Sequence, residues 1–332
     1  MGGVPTHSPI AVRPLLKWAG GKRQLLHVIR EYEPRQFDAY VEPFFGSGAV
    51  FFDLCGGGRL RGRQARLADA NRDLVGCYTM LRDRTEEVIA ALEVLASHHC
   101  TSDDTFFYEV RDGRFNPARA SAPGVYTPEL AAMLIYLNRT GFNGLFRLNR
   151  RGEFNVPAGR YANPCICDPA HLRSVAAALR QPGVTIDVES FERTLANAGA
   201  GTFIYCDPPY APLSPTASFA NYTADGFGPA DQERLRDAVV RAAASGAAVM
   251  VSNSSAPIIE TLYTSAAARA VGLKIVRVPA RRAINSRATS RGPVDEFLIT
   301  NIARNPLAAV QPRMAKATIA TPAAARAGSR SR

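Results

Sequence analysis

Residues 202–210 read TFIYCDPPY, an apolar run of five residues that stops at an acidic residue and two prolines. A buried strand of a parallel sheet looks like this, because both faces are covered and polar groups collect at its carboxyl end. The pattern predicts an α/β fold with a mostly parallel sheet. Three other apolar runs stop at a polar residue in the same way, AYV at 39–41 before Glu42, RLA at 66–68 before Asp69 and AAVMV at 247–251 before Ser252.

The rest of the chain divides into a strand-rich part and a helical part. Two later strands are predicted at 274–278 and 297–300, and a helix at 230–244 ends before a glycine. Between about 72 and 170 we find helical patterns, above all at 128–139, but no buried strand. We therefore expect a core interrupted by an inserted domain. The predicted boundaries are 1–12 for a flexible tail, 13–71 and 171–304 for the core, 72–170 for the insert, and 305–332 for a disordered basic tail.

Composition limits the classes to which the chain can belong. Its 332 residues carry 40 Lys and Arg against 29 Asp and Glu, a net charge of +11, and 46 % are hydrophobic. The hydrophobic fraction is typical of a folded protein. The basic excess favours a polyanionic partner, although a protein that is merely basic explains the charge equally well. The sequence contains no apolar run long enough to span a membrane, and its first ten residues are too polar for a signal peptide. We therefore expect a cytoplasmic protein. Six scattered cysteines predict reduced thiols and no metal site.

The first predicted strand runs into a glycine-rich turn, VEPFFGSG at 41–48. Glycines permit a tight turn and close approach of the backbone to a ligand. Only the first G-x-G of a dinucleotide fingerprint is present, so the turn is typical of a site for a nucleoside without pyrophosphate or of a simple tight turn. Asp69 ends the second strand about 20 residues later, where a carboxylate can bind ribose hydroxyls. A surface turn explains Asp69 equally well.

The corner DPPY at 207–210 carries the strongest functional signal. Two prolines fix the backbone and remove two N–H donors, which leaves acceptors beside a carboxylate and an aromatic ring. Such a corner suits an exocyclic amino group. Asp207 and the Pro208 carbonyl would accept its two hydrogens, and Tyr210 would stack on the base.

The glycine turn, the acidic strand end and DPPY together resemble the amino-methyltransferases that use S-adenosylmethionine. LKWAGGK at 16–22 resembles the opening motif of Dam-type DNA adenine-N6 methyltransferases, and DPPYAPLSPTASFANY at 207–222 is also similar to that family. LNRTGFNGLFRLNRRGEFNVPAGRY at 137–161 is similar to the family's DNA-recognition segment. The resemblance covers about 13–303. It implies a doubly wound, mostly parallel seven-stranded methyltransferase sheet with an inserted, mainly helical DNA-recognition domain.

The resemblance also implies residue roles around the cofactor, S-adenosylmethionine. Trp18 would cover the cofactor, with a core aromatic as the alternative, and Asp69 would accept from its ribose. Lys22 would neutralise nearby carboxylates or the carboxylate of the cofactor. The implied cofactor-binding residues are Trp18, Lys22, Glu42, Pro43, Gly46, Gly48, Asp69 and Asp207, and the implied catalytic residues are Asp207, Pro208, Pro209 and Tyr210.

A second set of residues is implied for duplex DNA. Arginines crowd with Asn138, Asn143, Asn149 and Asn155, and these side-chain types read bases or hold phosphates, although such a run alone is usually a solvated face. By resemblance, Lys17 contacts the first guanine and Phe142 stands where the family often carries the tyrosine inserted beside the target base. A loop at 285–292 is either a phosphate clamp or a hairpin connection. The implied DNA-binding residues are Lys17, Arg139, Phe142, Asn143, Leu145, Arg147, Arg160 and Tyr161.

The expected function is that of a DNA adenine-N6 methyltransferase that flips its target adenine out of the duplex within GATC. There are three alternatives. Cytosine-N4 methylation more often accompanies SPPY, and methylation of a protein glutamine more often accompanies NPPY. A catalytically idle DNA-binding protein would be favoured by a broken motif. We expect a monomer without an obligate protein partner in the bacterial cytoplasm, encoded by a host or a phage. A solitary role in replication and mismatch repair and a role in restriction–modification are both compatible with the sequence.

Overall fold

A computed structural model describes residues 12–18, 20–101, 103–213, 226–281 and 293–306. The predicted tails therefore lie almost wholly outside the described residues, as do the loop at 285–292 and residues 214–222 of the family-like segment. Seven strands form one sheet. They are β1 Ala39–Glu42, β2 Gln64–Asp69, β3 Val184–Val188, β4 Thr202–Cys206, β5 Ala248–Ser254, β6 Lys274–Arg281 and β7 Pro293–Thr300.

The strand order is β3-β2-β1-β4-β5-β7-β6. Strands β1 to β5 pair in parallel, and β7 runs antiparallel between β5 and β6. The chain moves outward from β1 to β3, returns to β4 beside β1, and then moves outward in the other direction. The predicted doubly wound, mostly parallel seven-stranded sheet is confirmed, and its topological switch lies between β1 and β4.

Six of the seven strands were predicted, and β3 was missed. Strand β4 has the predicted bounds, whereas β5 continues past the predicted end through Ser252 to Ser254. Strand β3 is an edge strand in which only Ile186 is buried, while Val188 is 47 % exposed. Its sequence, VTIDV, therefore lacks the continuous apolar run of a central strand.

Helices cover both faces of the sheet. The predicted helices at 128–139 and 230–244 are confirmed with slightly longer bounds. Their start is explained by proline in the first turn, and in the former also by Thr127, whose side chain accepts from the N–H of Leu130. The α-helices are α1 Leu26–Glu31, α2 Ala49–Gly56, α3 Arg72–Asp83, α4 Thr85–His98, α5 Thr105–Tyr108, α6 Asn116–Ser121, α7 Pro128–Thr140, α8 Pro169–Leu179, α9 Phe191–Leu195, α10 Pro229–Ala244, α11 Pro257–Tyr263 and α12 Ala266–Ala270. Short 3-10 helices at Lys22–Gln24 and Phe142–Gly144 and a π-helix at Glu109–Phe115 complete the set.

The core consists of two hydrophobic clusters, one on each face of the sheet. Alternate residues of a strand point to opposite faces. Tyr40 and Phe203 accordingly belong to one cluster, and Val41 and Ile204 belong to the other. The first cluster also contains the buried side chains of α3, α4 and α7, so the helical part between β2 and β3 shares its core with the sheet.

The helical part between β2 and β3 begins with α3, which packs against both of these strands. Within the described part of 72–170 the only strand-like pairings are two isolated bridges, Gly141–Ala158 and Leu148–Phe154. The helical character is as predicted, and the assignment of 72–170 to DNA recognition stays a prediction. Among the described helices, none combines the length and the apolar character that crossing a membrane requires.

Candidate active site

A cavity of about 410 Å³ opens at the carboxyl ends of β1, β2 and β4. It lies at the topological switch, where doubly wound sheets commonly bind their ligands. The sheet brings together here residues that are far apart in the chain. Ten of the predicted cofactor-binding and catalytic residues line the cavity, namely Trp18, Lys22, Glu42, Pro43, Gly46, Asp69, Asp207, Pro208, Pro209 and Tyr210.

The carboxylate of Asp69 braces the glycine turn that follows β1. One of its oxygens accepts from the N–H of Gly46 at 2.9 Å, and the other accepts from the N–H of Asn71 at 2.9 Å. Burial raises the pKa of Asp69 to about 6 against the lowering effect of these two bonds. Each carboxylate oxygen has capacity for a further donor, so Asp69 can brace the turn and still accept from a ligand.

Gly48 differs from the other predicted residues, because it does not line the cavity. It precedes the first residue of α2 with a left-handed backbone, φ +68°. A Cβ at this position would lie 2.5 Å from the ring of Phe45 and 2.9 Å from that of Phe52. Gly48 therefore shapes the turn from beneath the cavity.

Trp18 forms a wall of the cavity. Its ring stacks on Phe146 with the ring centroids 5.5 Å apart, and its other neighbour is the glycine turn, where a Cβ on Gly46 would lie 3.1 Å from the indole. Trp18 thus packs against the core, as the alternative interpretation expected, and also lines the cavity. Its role in covering the cofactor stays a prediction.

The cavity is strongly acidic. Glu42 is buried and accepts from the hydroxyl of Tyr40 at 2.8 Å, and burial raises the pKa of its carboxyl well above the ordinary value. Glu42 therefore favours its neutral form, and the excess of the other carboxylates in the lining suits a ligand that carries positive charge. The acidic lining residues are Glu42, Asp69, Glu189, Glu192, Asp207 and Asp231, against the basic residues Lys22 and Arg234.

At the end of β4, Asp207 pairs with a lysine. The Nζ of Lys22 lies 2.7 Å from Oδ1 of Asp207, also donates to the carbonyl of Gly20, and lies 4.5 Å from the centre of the Tyr210 ring. Burial raises the pKa of Asp207 to about 6, and the ammonium of Lys22 opposes this rise. A carboxylate beside an aromatic face thus accepts from the ammonium of Lys22 here. That the same corner accepts from the amino group of a base stays a prediction.

Sequence reasoning missed Glu296 and a group of three aromatic rings in the lining of the cavity. Glu296, on β7, accepts from the hydroxyl of Tyr210 at 2.7 Å, and no local signal links the two residues. Phe44 stacks on Phe191 at 5.5 Å and meets Phe227 edge-on at 5.8 Å. The position of Phe44 next to the glycine turn was the one available hint of this group. All three rings line the cavity.

A second cavity, of about 400 Å³, shares Trp18 with the first. Three predicted DNA-binding residues line it, namely Lys17, Arg139 and Asn143. The Nζ of Lys17 also lies 4.3 Å from the centre of the Tyr161 ring. Four of the eight predicted residues are therefore brought together beside the first cavity.

The guanidinium of Arg139 is partly enclosed in this second cavity. It donates to the carbonyl of Leu15 at 2.8 Å, and burial lowers its pKa. Its Nε is buried without a hydrogen-bond partner among the described residues. Arg139 therefore holds the chain segment before Lys17 as well as lining the cavity.

The other predicted DNA-binding residues lie outside both cavities. Phe142 is 50 % exposed, Arg160 is exposed and Leu145 is half-buried. Arg147 donates from its Nε to Oδ1 of Asn155 at 2.8 Å. The structure leaves the ring of Phe142 free to contact a partner.

The interpretation of Asn138 as a base- or phosphate-reading residue is wrong. Asn138 is buried, and its side chain accepts from the N–H of Lys17 and donates to the carbonyls of Lys17 and Gly144, each at 2.8 Å. All of this hydrogen bonding is internal. Asn138 instead joins the segment around Lys17 to the turn after α7.

Comparison with known proteins agrees with this geometry. Residues 18–284 match the model of the D12 class N6 adenine-specific DNA methyltransferase family. The chain is 37 % identical over 296 residues to Type II methyltransferase M1.LlaDCHI of Lactococcus lactis subsp. cremoris, covering 88 % of this chain and 96 % of the relative. It is 35 % identical over 286 residues to DNA adenine methylase of Escherichia coli (strain K12), covering 86 % and 94 %. It is also 37 % identical over 301 residues to Type II methyltransferase M.MjaIII of Methanocaldococcus jannaschii, covering 87 % and 99 %.

The match to the family model extends over β1 to β6 and over the residues that line the first cavity. The matches favour an enzyme that acts on adenine over the cytosine-N4, protein-glutamine and idle DNA-binding alternatives. The chain belongs to the D12 class of N6 adenine-specific DNA methyltransferases.

Proposed function

We propose that this enzyme transfers the methyl group of S-adenosylmethionine to N6 of an adenine that is flipped out of duplex DNA at GATC. The observation that carries the proposal is the nitrogen held at the end of β4. The ammonium of Lys22 lies against the carboxylate of Asp207 and over the ring of Tyr210. An adenine that stacks on the Tyr210 ring would likewise need the carboxylate of Asp207 to accept from its amino group.

The first cavity fits S-adenosylmethionine, a nucleoside that supplies an electrophilic methyl group on a positively charged sulfur. Its acidic lining suits a cation, and the group Phe44, Phe191 and Phe227 offers apolar faces for a flat base. Asp69 retains acceptor capacity for ribose hydroxyls. These contacts orient a donor, and no acid–base group is required for its activation.

The residues of the DPPY corner act on the acceptor. Asp207 and the Pro208 carbonyl accept the two amino hydrogens of adenine, which favours a more tetrahedral and therefore more nucleophilic nitrogen. Tyr210 stacks on the base, and its bond to Glu296 holds the ring in place. Positioning of the amino group in line with the methyl group supplies a large part of the catalysis. As the N–C bond forms, the C–S bond breaks, the sulfur leaves as a neutral thioether, and the methylated N6 releases one proton to solvent. A base in a duplex cannot reach this corner, so base flipping is part of the proposal.

The second cavity and its surroundings form the proposed DNA-binding surface. Lys17 and Arg139 supply positive charge beside Trp18, and Asn143 adds an amide. The exposed ring of Phe142 is available to fill the place of the flipped base. Arg147 is proposed to read a guanine of the outer base pair, as the resemblance implies.

The proposed reaction and target are tested together with two duplexes that differ only in GATC or GTTC. We expect label from radiolabelled S-adenosylmethionine on N6 of adenine in the GATC duplex alone. A base pair that lacks its contacts costs about 1–3 kcal/mol in binding, and this loss is felt before the chemical step. Equal labelling of both duplexes would reject GATC and retain the reaction, whereas no labelling of either would reject the proposed function.

The rate should depend on pH through Asp207. Its carboxylate must be ionised to accept from adenine, so kcat should be full above the pKa of about 6 and fall as the pH decreases through it. In Lys22→Met the lowering effect of the ammonium is lost, and the pKa of Asp207 rises. The acidic limb of the kcat profile should then move to higher pH by about one unit or more.

The comparison uses saturating donor and DNA, so that only the position of the limb is compared. Lys274→Met removes an exposed lysine from β6 and serves as the matched control, with an unchanged profile expected. A limb that stays in place in Lys22→Met, or moves to lower pH, would show that it does not report Asp207.

A further inference from the structure

The backbone after Pro208 leaves the sheet, and side chains satisfy its polar groups. The carbonyl of Pro209 accepts from Nε2 of Gln232 at 2.9 Å, and the N–H of Ala211 donates to Oδ1 of Asn253 at 3.2 Å. The carbonyl of Ala211 accepts from Oγ of Ser254 at 2.6 Å. Helix α10 and strand β5 thus hold the DPPY corner from behind.

Gln232 and Asn253 form one buried amide pair. Nδ2 of Asn253 donates to Oε1 of Gln232 at 3.0 Å, and Gln232 and Asn253 are 2 % and 0 % exposed. Asn253 is fixed further by the N–H of Ser254, which donates to its Oδ1 at 2.9 Å. Each amide therefore has a defined orientation, because its oxygen accepts within the network and its nitrogen donates.

The amide pair holds the two peptide planes that flank Tyr210. The plane between Pro209 and Tyr210 carries the carbonyl bound by Gln232, and the plane between Tyr210 and Ala211 carries the N–H bound by Asn253. Together the two planes set φ and ψ of Tyr210, and hence the direction in which its ring leaves the backbone. Glu296 holds the other end of the same side chain.

The carbonyls of the corner differ in their hydrogen bonding. Those of Pro209 and Ala211 are occupied, whereas within the described residues no hydrogen bond reaches the carbonyl of Pro208. The neighbouring prolines offer no N–H that would compete for it. The corner therefore presents the Pro208 oxygen and the Tyr210 ring together.

We propose that Gln232 and Asn253 are positioning residues that hold the Tyr210 ring and the free Pro208 carbonyl in register for the target adenine. The inference rests on the proposed function, since it concerns the acceptor side of that reaction. Neither residue touches the base. Both act through the corner, so their loss should affect kcat more than binding of the methyl donor.

Two substitutions of Gln232 test the inference. Gln232→Met keeps the approximate volume and removes both hydrogen bonds, so kcat should fall about tenfold or more with donor Kd within about twofold of wild type. Gln232→Glu keeps the shape, and its protonated acid can still donate to Pro209 and accept from Asn253. Its ionised carboxylate cannot donate, so the ratio of variant to wild-type kcat should be near one at low pH and decrease as pH rises.

Gln36→Glu makes the same change at an exposed glutamine and should give a flat ratio. A purely structural role predicts loss of folded protein without a pH-dependent ratio, so thermal unfolding is recorded for every variant. A ratio in Gln232→Glu that stays flat and well below one, in a folded protein, would overturn the inference, as would a wild-type kcat in Gln232→Met. A wild-type enzyme that transfers no methyl group to DNA would overturn the proposed function first.

Discussion

Asp207→Asn should lower the single-turnover rate of methyl transfer about 10²- to 10³-fold at saturating donor and DNA. The amide has nearly the shape of the carboxylate but carries no charge, and its nitrogen cannot accept from an amino group. The change also removes the ion pair in which Lys22 Nζ lies 2.7 Å from Oδ1. Since the Asp207 side chain keeps 21 % of its surface exposed, the fold should tolerate the change.

The matched control is Asp187→Asn, the same chemical change at an exposed aspartate on the edge strand β3. It should leave the rate within about twofold of wild type, as expected for a surface substitution away from the site. A rate in Asp207→Asn close to that of Asp187→Asn would show that the carboxylate of Asp207 does not accept from the reacting nitrogen.

Gly48→Ala should decrease the free energy of unfolding by about 3 kcal/mol. Two costs add: about 1–2 kcal/mol for a side chain at φ +68°, and a similar cost for the clash of its Cβ with a packed core. The nearest atoms belong to the ring of Phe45 at 2.5 Å, and Phe45 is itself buried. Urea unfolding followed by circular dichroism measures the loss.

Gly62→Ala separates the two costs. Gly62 has nearly the same backbone, φ +70°, but nothing lies within 4 Å of the position of its Cβ. It should lose only the backbone part, about 1–2 kcal/mol. Equal losses in the two variants would mean that the rings of Phe45 and Phe52 move aside at no cost, and the clash would then be irrelevant.

The strands that line the cavity were predictable because they are central. Strand β4 is covered on both faces, and all five of its residues are buried, so the apolar run marks its bounds. Strand β3 lies at the edge of the sheet, where Thr185 and Asp187 are exposed to solvent. Its sequence therefore lacks the continuous apolar run that marks a central strand. Burial rather than strand propensity therefore decided which strands the sequence revealed.

The site was predictable where its residues are neighbours in the chain. Asp207 and Tyr210 belong to one tetrapeptide, and both line the cavity. Glu296 and Gln232 escaped because their partners in the DPPY corner are 86 and 23 residues away. Asn138 was misread for a related reason, since its internal partner Lys17 is 121 residues away and an asparagine in a basic segment looks like a contact for DNA.

Local patterns in the chain were enough to predict the α/β class, the glycine turn and the acceptor-rich corner, because apolar runs, glycines and prolines act on the backbone within a few residues. The side chains that support that corner became known from the three-dimensional packing alone. The order and register of the sheet place Glu296 beside the hydroxyl of Tyr210, and the packing of α10 on β5 places Gln232 beside Asn253. Such partners are set by packing between distant segments, and no local pattern in the chain specifies them.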